Sequence, residues 1–166
     1  MKQIFFALLF SFSFLMLAAC GDSSSHTNTS ATLKVNLSGD LAGKAISGAS
    51  FTVTLPANVT PAMDSGGAVA ISAVTPSGTF AGSTIAPVVT YTPAAGTIPG
   101  TMQIIVSSSV PAGATTVGEV ATITLQLAND AAPAVASFPL TGVSVIDTSG
   151  APIAGMTATV SGVTLQ

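Results

Sequence analysis

The chain has 166 residues, is 48% hydrophobic and only 5% charged, and carries a net charge of −3. Its positive residues are Lys2, Lys34 and Lys44, with no arginine. This excludes the positive stripe that a nucleic-acid partner needs to displace counterions, and it excludes charge-driven recruitment to an anionic lipid surface. A single cysteine permits no intramolecular disulfide, so the fold must be held by its core although an extracytoplasmic compartment would allow disulfides.

Lys2 is followed by an apolar run over residues 4–17, broken only by Ser11 and Ser13. The run is shorter than the ~20 residues of a membrane-crossing helix. It ends in Leu17-Ala18-Ala19-Cys20. A positive start, an apolar middle and a small-residue end are the pattern of a processed signal, and the cysteine at its end is that of a bacterial lipoprotein. The sequence thus predicts a signal peptide over residues 1–19, cleavage between Ala19 and Cys20, and acylation of Cys20 by palmitate-like chains. Two or more chains anchor a protein stably where one binds marginally. Gly21, and not Asp, follows the cysteine, so the expected location is the outer membrane, on its periplasmic or outer side.

Residues 20–31 are the lipidated N-terminus and a tether: the run GDSSSHTNTSA is small, polar and aperiodic. At ~5–6 Å × √n its r.m.s. reach is on the order of 18 Å. His26 lies in this tether without a metal-binding partner.

Residues 32–166 form one predicted domain with a period of two. Leu33, Val35 and Leu37 alternate with polar neighbours, as do Phe51, Val53 and Leu55, and Ile123, Leu125 and Leu127; Met102, Ile104 and Val106 share one parity. Val143 and Val145 flank Ser144, and Thr157, Thr159 and Ser161 interleave with Ala158 and Val160. Successive strand side chains point to opposite faces, so this reads as half-buried strands with hydroxyls outward. Further strands are expected over residues 68–74 and 88–92, and a short helical turn over 129–135. Ten prolines leave no room for a long helix. Asp64-Ser65-Gly66-Gly67 and Asp147-Thr148-Ser149-Gly150 are turn signatures: an Asp side chain bonds the backbone two residues on, and Gly accepts a positive φ. Many short strands with such spacing predict an all-β fold, an antiparallel β-sandwich of the jelly-roll kind.

The chemistry is sparse. Past the tether there is no His and no Cys, so neither Ser-His-Asp nor Cys-His catalysis can be assembled. No zinc-protease, P-loop or dinucleotide motif occurs, the acids are scattered, and no pair is marked for glycoside hydrolysis. No enzyme and no cofactor is expected. Structural calcium is the one metal worth weighing, with Asp64, Asn129, Asp130 and Asp147 as loop candidates; the favoured reading is that they form turns and carry solvated charge. There is no Trp. Of the domain's aromatics, Phe51 has core parity, Tyr91 has a place on a strand face, and Phe80 and Phe138 read as plugs under loops.

Three stretches together resemble a cohesin domain, the sandwich that binds dockerin modules in cellulosome scaffolds. Residues 46–56 (ISGASFTVTLP) resemble the strand in which a Gly precedes an alternating F-x-V-x-L run. Residues 118–127 (GEVATITLQL) resemble the late strand opened by a Gly, and residues 143–163 resemble the closing hairpin. The resemblance implies a cohesin-like jelly roll that binds a protein module, dockerin-like, or a surface polymer, and it marks no ligand-binding residue. The alternatives are a carbohydrate-binding module recognising polysaccharide, or a structural envelope or filament subunit joined by β-augmentation.

Overall fold

The computed structural model describes residues 27–166. They form nine strands: β1 (Ser30–Ser38), β2 (Ile46–Leu55), β3 (Val59–Pro61), β4 (Val74–Pro76), β5 (Val88–Thr92), β6 (Gly100–Ser107), β7 (Gly118–Leu127), β8 (Leu140–Asp147) and β9 (Thr157–Leu165). The fold is an all-β sandwich of two antiparallel sheets. Sheet A runs β3-β7-β1-β9 with β4 also on β7, and sheet B runs β5-β6-β2-β8.

The alternation sets both layers. Leu33, Val35 and Leu37 on β1 and Ile123 and Leu125 on β7 face inward from sheet A, while Phe51, Val53 and Leu55 on β2 and Met102, Ile104 and Val106 on β6 face inward from sheet B; all are buried. These residues and their neighbours form one cluster. Phe80 and Phe138 are buried beneath loops, as expected; Phe80 closes the 3-10 turn Gly78–Phe80 and Phe138 directly follows the 3-10 turn Val135–Ser137. Tyr91 is half-buried and packs against the core, so it presents no open ring.

Four sequence expectations need correction. Residues 68–74 are not a strand. The Asp64 turn folds the chain back, with the Asp64 amide donating to the Ala68 carbonyl and the Ala70 amide to the Ala62 carbonyl. These bonds consume the backbone groups a ladder would need. A 3-10 turn (Ile71–Ala73) follows, leaving Ile71 91% exposed, and pairing resumes only at Val74. β3 and β4 are thus one edge strand, both paired to β7, interrupted by an excursion over residues 62–73. Residues 143–163 are not a closing hairpin: β8 pairs with β2 in sheet B, whereas β9 pairs with β1 in sheet A. After the Asp147 turn the chain returns only as far as the Ile146–Pro152 bridge, then crosses to the other layer. The expected helical turn lies later, at Val135–Ser137. Finally, β1 starts at Ser30 and Ala31 is fully buried, so the last two residues assigned to the tether belong to the sheet.

The sandwich has two poles. Thr29 and Ser30 both donate their amides to the Gln166 carbonyl, at 2.8 and 3.1 Å. The described chain therefore begins beside its last residue, at the pole where β2 and β7 end. The connections over residues 56–58, 93–99 and 128–139 share this pole. The connections over residues 39–45, 77–87, 108–117 and 148–156 form the opposite pole.

Candidate functional site

The outer face of sheet B carries no charged side chain. Its outward positions are Thr90 and Thr92 on β5, Thr101, Gln103 and Ser107 on β6, Ser50, Thr52 and Thr54 on β2, and Thr141 and Ser144 on β8, together with three aliphatics, Val88, Ile105 and Ile146. The aliphatics break the alternation, each standing where a hydroxyl is expected. Val88 lies opposite Ile105, and Ile105 opposite Ser50. Ile146 lies opposite Gly48, and Gly48 opposite Ser107. Ile105 and Ile146 are 42% and 38% exposed. They stand as two walls of a notch of about 150 Å³, floored by Gly48, Ala49 and Ser50 and rimmed by Ser107 and Ser144.

The notch is built by one bulge and one glycine. Ile46 pairs with Asp147 and Gly48 with Ile146, so Ser47 is the extra residue of β2. A bulge of this kind turns the strand locally; here it leaves Ile46 in the core and sets Gly48 on the outer face. The Ser47 hydroxyl donates to the Asp147 carbonyl at 2.8 Å. A Cβ on Gly48 would lie 3.2 Å from the Val106 carbonyl oxygen and 3.6 Å from the Ile146 side chain. Any larger residue would fill the floor.

Behind the notch, Asp147 holds the end of β8. One carboxylate oxygen accepts from the Ser149 hydroxyl (2.6 Å) and from the amides of Ser149 (2.9 Å) and Ala151 (3.0 Å). The other pairs with Lys44 Nζ at 3.1 Å. The Ser149 hydroxyl, the Lys44 ammonium and the two amides together hold this carboxyl far below its ordinary value, against the opposing effect of burial. Lys34, the other lysine of the described residues, pairs with Glu119 at 3.1 Å on the outer face of sheet A. Glu119 is lowered by the Ser77 hydroxyl and then by Lys34, with burial opposing.

The four calcium candidates fall at separate places. Asp64 caps its own turn, accepting from the amides of Gly66 and Ala68 at 2.8 and 3.0 Å. Asn129 and Asp130 are consecutive residues with φ of 54°, and Asn129 donates to Asn58 at 3.1 Å. Asp147 is engaged as described. Among the described residues no three His, Cys, Asp or Glu side chains gather where they could hold an ion, and every buried polar side-chain atom has a hydrogen-bond partner. Ala19, Cys20 and His26 lie outside the described residues.

The sequence reading did not mark the notch. The signal was present in Ile105 and Ile146, two large aliphatics out of phase with Ile104 and Val145, but only the cross-strand register brings them to opposite sides of Gly48. Compared with protein-family models, with curated proteins and with solved structures, the chain matches none.

Proposed function

We propose that this chain is a non-catalytic binding lipoprotein of the outer membrane, anchored through acylated Cys20, whose cohesin-like sandwich holds a protein module on the outer face of sheet B. The observation that carries this reading is an opposition of ends. The described chain enters at one pole, and the notch between Ile105 and Ile146 opens on the half of sheet B nearest the other pole. A domain tethered at the first pole presents the second outward.

The chemistry of the face defines the partner. With no charge and a small floor at Gly48 and Ala49, it suits an aliphatic side chain inserted at Gly48 between Ile105 and Ile146, with the hydroxyls of Ser50, Ser107 and Ser144 close by. A few apolar anchors inside a polar rim are how modest interfaces gain most of their affinity. Binding of this kind is insensitive to salt, since no exposed charge takes part.

The two alternative readings have less support. A sugar platform needs an exposed ring, whereas Phe51, Phe80 and Phe138 are buried and Tyr91 is half-buried against the core. Growth by β-augmentation needs a straight free edge. Here β8 bulges at Gly142–Val143 and β9 at Ser161, β5 is bracketed by Pro87 and Pro93, and β3 and β4 each end in a proline.

The test is purification of the full mature protein from native membranes, with identification of what co-elutes. A partner retained in high salt, lost with Ile105→Ser/Ile146→Ser and kept with Thr124→Ala on the opposite sheet supports the reading. Retention by the double variant overturns it.

A further inference from the structure

The pole at which the tether enters carries its own apolar contacts. Residues 93–99 form the hairpin between β5 and β6, turning at Gly96 and Thr97, and Ile98 beside the turn is 66% exposed. Val135, in the connection from β7 to β8, is 42% exposed at the same pole. The first loop joins two strands of sheet B and the second crosses from sheet A to sheet B, and each exposes one large aliphatic at this pole. Below the turn, two hydrogen bonds join Ala95 and Ile98, amide to carbonyl in each direction, both 3.0 Å. These four backbone groups are already paired and are not stranded when the Ile98 side of the hairpin leaves water. Asp130 is the one ionisable side chain in residues 56–58, 93–99 and 128–139.

We infer that this pole rests on the lipid surface, with Ile98 and Val135 dipping into the interface, so that the domain stands on the membrane and does not swing freely above it. The inference rests on acylation of Cys20. Nine residues separate Cys20 from Ser30, so the two cannot lie more than about 35 Å apart even at full extension. A tether that short keeps the pole beside the bilayer at high effective concentration, so a contact too weak to recruit a free domain suffices to seat a tethered one. With no lysine at this pole, the surface it fits is a zwitterionic one, and apolar contact supplies the attraction.

The test uses the full lipidated protein in phosphatidylcholine–phosphatidylethanolamine vesicles. Three variants, Ile98→Cys, Val135→Cys and Val110→Cys, are labelled with a polarity-sensitive fluorophore. Cys20, thioether-linked when acylated, does not compete for the label. Val110 is exposed at the far pole and serves as the reference. The expected result is blue-shifted emission at 98 and 135, quenched by spin-labelled lipid severalfold more than at 110. Vesicles that float with the protein while position 98 reports water, as 110 does, overturn the seating alone. Protein that fails to float with the vesicles overturns the anchor and the seating together.

Discussion

Asp64 and Asp147 open two turns of nearly the same sequence and the same backbone bonding. In each, the Asp carboxylate accepts from the amides two and four residues on. In each, the Asp amide donates to the carbonyl four residues on, and the Gly amide three residues on donates back to the Asp carbonyl. The surroundings differ. Asp64 is exposed and serves only its own loop. Asp147 is 8% exposed, receives the Ser149 hydroxyl where the first turn has Gly66, and is paired to Lys44 from another connection. One local code thus builds a surface bend in one place and a fastening between two loops in the other. The lesson is that turn chemistry specifies conformation, while energetic weight is set by what the rest of the chain brings to it.

Truncation of the core sets the scale for that contrast. Leu125→Ala, at a fully buried position of β7, should cost about 2–5 kcal/mol in urea unfolding. Asp147→Ala should give the next largest loss, because it removes the acceptor of three hydrogen bonds and leaves Lys44 unpaired. An urea midpoint for Asp147→Ala no lower than that for Asp64→Ala would erase the distinction between the turns. Acid should sharpen it. The folded carboxyl of Asp147 lies below its ordinary value of 3.8, so its contribution is complete above that pH and is lost as pH falls through the lower, folded value. The urea midpoint of the wild type should drop on acidification, and Asp147→Asn should flatten that drop; parallel curves for the two proteins would contradict the assignment. Asp64→Ala should cost about 1 kcal/mol, the worth of turn hydrogen bonds open to water. Smallest of all, Lys34→Met should change stability by about 1 kcal/mol or less, since the Lys34–Glu119 pair is an exposed one.

The strands that form the two layers were legible wherever apolar residues kept a strict period of two with large or β-branched side chains, as in β1, β2 and β7, and in β6 through the shared parity of Met102, Ile104 and Val106. The alternation states which face of a strand is buried, but not which sheet the strand joins. For that reason β8 and β9, adjacent in sequence, could be read as partners when they belong to opposite layers. Residues 68–74 misled for a different reason: their apolar content suits a strand, yet the Asp64 turn takes up the backbone groups first. Of the site, the turn-forming role of Asp64 and Asp147 was legible because an Asx turn is local. The notch was not, since Gly48, Ile105 and Ile146 meet only through the register of three strands.

The position of β1 governs the order of events in folding. It lies inside sheet A, between β7 and β9, and neither neighbour occurs before residue 118. Its ladders therefore join residues far apart along the chain, the kind of topology whose search is slow because large loops must close before any contact rewards them. A partial polypeptide that stops before Thr157 leaves one flank of β1 bare. Completion of sheet A is consequently a last-strand step, because β1 gains its second neighbour only when β9 arrives.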